Sequence, residues 1–193
     1  MTIDNAQIQK LNISIIKNPI IVEILKIVPS LHIPNWYLGA GCIAQTIWNG
    51  AHGFDPTFGI KDYDMVYFDA SDLSYEAEDC VVKLAKNALR HLNAPIDVVN
   101  EARVHLWYRD RFGFNIGPYN SAEDAISNWP TTATSIGVRY NESGNFVVCA
   151  PFGLEDLFEL VVKPNKKQIT ENIYLQKVGR WTRIWPKLKV ISW

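Results

Sequence analysis

The sequence predicts an α+β fold in which a mixed sheet carries acidic residues and helices cover its back. Three observations lead there. Residues 5 to 28 place Ile8, Leu11, Ile15, Ile16, Ile20, Ile21, Ile24, Leu25 and Val28 at spacings of mostly three or four, the period of amphipathic helices. Trp36-Tyr37-Leu38 reads as a short strand entering the turn Gly39-Ala40-Gly41, after which Cys42, Ile43, Thr46 and Ile47 continue as a helix. Two short strands that hold aspartates, Asp62 to Asp69 and Ile96 to Val99, are separated by the helical stripe Ala77, Cys80, Val81, Leu84, Ala85, Ala88, Leu89 and Leu92. A connection of that length lets both acidic strands enter one sheet in parallel or mixed pairing.

Composition narrows the classes. At 193 residues the chain can bury a substantial core. One domain, 1–193, is expected, with N-terminal helices over 1–30 and a C-terminal helical extension over about 150–193. Hydrophobic residues make up 48% and charged residues 20%, which excludes a disordered polymer. A net charge of -1 removes the global basic field that duplex DNA requires and leaves room only for a local basic groove. Cys42, Cys80 and Cys149 are far apart and odd in number, so neither a disulfide framework nor a zinc knuckle is supported and a reducing cytoplasm fits best. The start Met1-Thr2-Ile3-Asp4-Asn5 lacks signal-peptide character, and no run is apolar enough to span a membrane.

In chain order, Asn18-Pro19 should divide the first helical stretch, because proline disfavours helical geometry in the residue before it. Gly50, Gly53, Pro56 and Gly59 mark a loop over residues 50 to 60. The strand holding Asp97 is expected to run through Trp107 or Tyr108, which would put Asp97, Val99, Glu101, Arg103 and His105 on one face and Arg103 or His105 beside the site. Ser121 should cap a short helix ended by Trp129-Pro130. Thr131 to Tyr140 and Phe146 to Cys149 read as a hairpin, Leu154 to Val162 as an apolar helix, and Gln168 to Ile184 as a last helix.

The chemistry gathers in residues 36 to 69. A glycine-bearing turn lets backbone N–H groups approach an anion, and a helix start leaves such groups unpaired. Asp62 and Asp64, one residue apart on an extended segment, point to the same side. With Asp97 one helix later, three carboxylates could meet, which suggests a site for a metal-bound phosphate. Lys61 flanks the pair as either a solvated neighbour or a phosphate contact. His32, His52 and His91 are scattered without ligand spacing.

Gly39-Ala40-Gly41-Cys42, Lys61-Asp62-Tyr63-Asp64 and the strand with Asp97 resemble the nucleotidyltransferase domain of the DNA polymerase β superfamily. More narrowly, Trp36 to Gly41, Asn100-Glu101-Ala102-Arg103-Val104-His105-Leu106-Trp107 and Ala150 to Phe158 resemble a bacterial family of uncharacterised nucleotidyltransferase-like proteins. The resemblance implies that Asp62 and Asp64 bind two magnesium ions, with Asp97 on the ion that activates an acceptor hydroxyl. It also implies that Gly39, Ala40, Gly41 and Cys42 hold the outer phosphates of a nucleoside triphosphate (NTP) while pyrophosphate leaves. Many members of the superfamily have serine in the turn where this chain has Ala40 or Cys42, so the hold would depend on backbone N–H groups. The acceptor, in a small molecule, protein or RNA, and the oligomeric state are not encoded in these motifs.

Two other readings use the same residues. Gly39-Ala40-Gly41-Cys42-Ile43-Ala44 fits G-x-G-x-x-A of a dinucleotide-binding fold. Against it, the acidic pair begins its strand, whereas that fold's acidic residue ends one. A non-catalytic nucleotide-binding or interaction module is the other, although three like charges at one point serve no evident purpose without a cation.

Overall fold

A computed structural model of the chain describes residues 3–193. Helix α1 (Asn5–Ile15) starts on Asp4, whose carboxylate accepts the Gln7 N–H at 2.7 Å. Helix α2 (Pro19–Ile27) starts on Asn18, so the chain breaks at Asn18-Pro19 as expected. The buried Asn18 accepts the amides of Ile20 and Ile21 and donates to Thr46 Oγ1 at 3.0 Å and the Pro56 carbonyl at 3.2 Å, so the break is tied into the core.

Strand β1 (Tyr37–Gly39) leads into α3 (Gly41–His52), followed by β2 (Tyr63–Tyr67), α4 (Tyr75–Leu89) and β3 (Ile96–Asn100). Then come α5 (Val104–Phe112), α6 (Ala122–Ile126), β4 (Gly137–Tyr140), β5 (Phe146–Cys149), α7 (Glu155–Phe158), β6 (Val161–Val162), α8 (Glu171–Ile184) and β7 (Lys189–Val190). Five strands form one mixed sheet in the order β3-β2-β1-β4-β5, in which only β2 and β3 run parallel. Helix α4 supplies the crossover that a parallel pair needs. Because β1 is antiparallel to both β2 and β4, the parallel strand-helix-strand unit of a dinucleotide-binding fold is excluded.

Alternation along the strands separates two faces. Leu38, Tyr63, Met65, Tyr67, Ile96 and Val98 enter the main core with the apolar sides of α1 to α4. Trp48 of α3 is fully buried there and meets Trp181 and Trp185 edge-on at 5.4 Å, while the Trp185 indole donates to Asn49 at 2.7 Å. These contacts anchor α8 to α3. On the opposite face, Tyr37 and Val66 pack with Ala122 and Ile126 of α6. The rest of that face carries the carboxylates. Among the described residues, no helix is long and apolar enough to cross a membrane.

Three expected elements are corrected. The strand with Asp97 stops at Asn100 instead of running to Tyr108. Asn100 gives its N–H to Glu78 at 2.8 Å, and its side-chain oxygen accepts the Ala102 N–H at 3.1 Å, so the chain leaves the sheet and winds into a 3-10 turn and α5. The expected helix over Leu154 to Val162 is a single turn. Leu160 takes φ 60°, and Val161–Val162 then pairs with Lys189–Val190. Thr131 to Ser135 forms a hydroxyl-bonded turn rather than the start of β4, with the Ser135 hydroxyl donating to the Thr131 carbonyl at 2.9 Å.

Candidate active site

The parallel register of β2 and β3 sets Asp64 opposite Asp97. Asp62 lies two residues before Asp64, so both turn away from Tyr63 and the core. All three carboxylates line one cavity of about 560 Å³ together with Ala40 and Gly41 of the turn. Asp64 lies at its base, where burial first, and then Asp62 and Asp97, push its carboxyl up to about 7 against the opposing pull of Lys177.

The turn is strained where it meets the cavity. Ala40 takes φ 57° and ψ -131°, a conformation that costs an L side chain about 1–3 kcal/mol. Its N–H is engaged by the Ile136 carbonyl at 2.9 Å, so the free donors are the amides from Gly41 onward, at the start of α3. Gly39 is explained by packing: a Cβ there would lie 2.4 Å from the Ile136 carbonyl oxygen and 2.9 Å from the Trp129 ring. The Cys42 thiol donates to the Gly39 carbonyl at 3.1 Å, and the residue is fully buried and does not line the cavity, so Cys42 packs beneath the turn. Lys61 is exposed and does not line the cavity.

Neither Arg103 nor His105 lines the cavity. With β3 ended at Asn100, the alternation that would have aligned them with Asp97 does not continue. Arg103 is buried, its guanidinium is paired with Glu78, and its Nε donates to the Leu73 carbonyl at 2.9 Å. It fastens the end of β3 to the start of α4.

The cavity also gathers residues that motif reading passed over. Arg111 from α5 and Lys177 and Arg180 from α8 line it, and none of the three makes a salt bridge among the described residues. Burial pulls Lys177 down, with Arg180 and Arg111 acting the same way and Asp64 and Asp62 opposing. A signal for two of them was present, since Lys177 and Arg180 are three apart in a helix and share one side. Glu101, Tyr119 and Trp129 line it as well.

Among the described residues, no three His, Cys, Asp or Glu side chains are already gathered into a finished ligand set. The donor chemistry nevertheless fits a hard divalent cation. Asp62, Asp64 and Asp97 are oxygen donors on one cavity, and Asp62 and Asp97 add their negative charge to the burial that pushes Asp64 up.

The model of a nucleotidyltransferase family matches residues 26–190 of the chain. No curated protein matches it in sequence. Among solved structures, an NMR structure described as revealing a CCA-adding enzyme head domain is similar at 24% identity and a TM-score of 0.76, covering 96% of each chain. Two structures of tRNA-processing enzymes match at 14% and 13% identity with TM-scores of 0.50 and 0.51. They cover 88% and 87% of this chain, which spans only 42% and 43% of theirs. These likenesses establish the nucleotidyltransferase fold. With a family match over most of its length and that fold around the three aspartates, the chain belongs to the nucleotidyltransferase family.

Proposed function

We propose that the protein moves a nucleoside monophosphate from an NTP to a hydroxyl acceptor, with divalent metal required. The observation that carries this reading is the register that sets Asp64 beside Asp97, with Asp62 on the same side and the strained glycine turn at the cavity's rim. Asp62, Asp64 and Asp97 would hold two magnesium ions. When bound, these draw charge from the α-phosphoryl group and from the entering and leaving oxygens.

The protein's own groups do the rest. Amides from Gly41 onward receive the outer phosphates, and the unpaired Lys177, Arg180 and Arg111 balance charge that grows on departing pyrophosphate. Asp97 lies on the edge strand β3, where it faces an incoming acceptor and takes the proton of its hydroxyl. Gln168, Ile173 and Gln176 line the same cavity and would offer contacts to an acceptor. The acceptor belongs to a small molecule, a protein or an RNA. Because two structures of related fold are described as tRNA-processing enzymes, an RNA end is the first to try.

The test supplies an NTP labelled at the α-phosphate, with magnesium, to separate RNA, protein and small-molecule fractions of a cell extract. Label should enter one fraction with the wild-type protein and none with Asp64→Asn. Absence of transfer to every fraction would overturn the reading.

A further inference from the structure

Glu101 differs from every other charged group in the cavity. It follows β3 directly, at the first residue of the 3-10 turn by which the chain leaves the sheet, and it lines the cavity with the three aspartates. Glu101 is only 5% exposed, makes no salt bridge among the described residues and has the Trp129 indole as its side-chain partner. Two residues on, the equally buried Arg103 is fully paired with Glu78.

The cavity's cations do not act on all its carboxyls alike. Lys177 feels Asp64, Asp62, Arg180 and Arg111, which marks the end where phosphate charge belongs. No cation acts on Glu101 among the described residues, and Trp129 and Tyr119 line the same cavity. A buried carboxyl without a cation favours its neutral form, and burial, with Asp64 adding to it, pushes Glu101 up to about 8. In that form it offers an O–H donor beside a carbonyl acceptor, the complement of the paired donor and acceptor on a base edge. Gln45 adds a second unfilled group: its side chain is buried, lines the cavity, and its Oε1 has no partner.

We propose that Glu101, with the rings of Trp129 and Tyr119, forms the subsite for the base of the donor nucleotide, and that Glu101 engages the base as donor and acceptor together. This rests on the nucleotidyl-transfer reading of the same cavity.

Isothermal titration in magnesium, comparing ATP, CTP, GTP and UTP with inorganic tripolyphosphate, separates the two. The wild-type protein should bind at least one NTP roughly tenfold or more tighter than tripolyphosphate, because the base adds stacking and hydrogen bonds. Glu101→Gln, which keeps a donor and an acceptor at nearly the same size, should retain that gain. Glu101→Ala should lose most of that gain, keeping only what stacking on the two rings supplies, with thermal melting used to select folded variants. Equal wild-type affinity for tripolyphosphate and all four NTPs would overturn the subsite and leave nucleotidyl transfer standing. A gain that survives Glu101→Ala in full, or one that Glu101→Gln loses, would do the same. If neither ligand binds the wild-type protein in a metal-dependent way, the underlying reading fails as well.

Discussion

The floor of the cavity and the helical wall facing it are built in different ways. On the floor, Asp62, Asp64 and Asp97 are placed by strand alternation and by the β2–β3 register, so backbone hydrogen bonds hold like charges near one another. On the wall, Arg111, Lys177 and Arg180 come from two helices far apart in sequence and make no salt bridge with the floor. Opposite charges that share a cavity without touching leave room for something between them. The floor repels itself and the wall feels the floor's charge without forming a salt bridge to it, so a metal-bound polyphosphate would satisfy both.

The largest expected effect breaks the floor. Asp64→Asn removes a proposed metal ligand and should lower turnover by about a thousandfold in a label-transfer assay while leaving the fold intact. Next comes a control that lies in neither wall. Arg103→Met leaves the half-buried Glu78 with only the Asn100 N–H and should cost about 2 kcal/mol of stability in denaturant unfolding. It should not change NTP affinity in the protein that remains folded. A selective loss of binding would instead return Arg103 to the site. Lys177→Met tests the wall and should weaken NTP binding by about tenfold, read by titration, since a charge-assisted contact is lost.

Much of the fold was legible because it follows from local rules. The Asn18-Pro19 break, the Ser121 cap and the α4 stripe depend on residues near one another, and each appears as expected. The floor was legible for the same reason: Asp62 and Asp64 keep period two, and one helix is enough to bring in Asp97. The neighbourhood of Arg103 and His105 was not. Alternation after Asn100 looked regular, but Glu78 takes the Asn100 N–H and Asn100 caps the next turn, and Glu78 is brought there by tertiary packing. The wall was hidden likewise, because nothing local tells α8 which side will face a sheet formed far earlier in the chain. Gly39 and Cys42 carry the right motif, yet their side-chain positions serve packing beneath the turn.

Smaller effects sharpen the floor further. Asp64, pushed up to about 7, and Glu101, pushed up to about 8, hold protons in the folded state that the unfolded chain releases above about pH 4 to 5. Folding binds more protons over that window, so stability without metal should fall as pH rises from about 4 to about 8. Thermal melting across that range should show the decline, and Asp64→Asn should flatten part of it. A rise in stability over the same window would contradict the burial of these two groups. Smallest of all, Ala40→Gly should relieve the turn and stabilise by about 1 kcal/mol, measured as a higher melting temperature.

The central claim is that the three aspartates form a cation site completed by nucleotide. The most direct measurement is electron paramagnetic resonance of manganese added to the protein with a non-hydrolysable NTP analogue. The account predicts manganese bound by protein and analogue together, and its release in Asp64→Asn. Binding that is absent in the wild-type protein, or unchanged in Asp64→Asn, would contradict it.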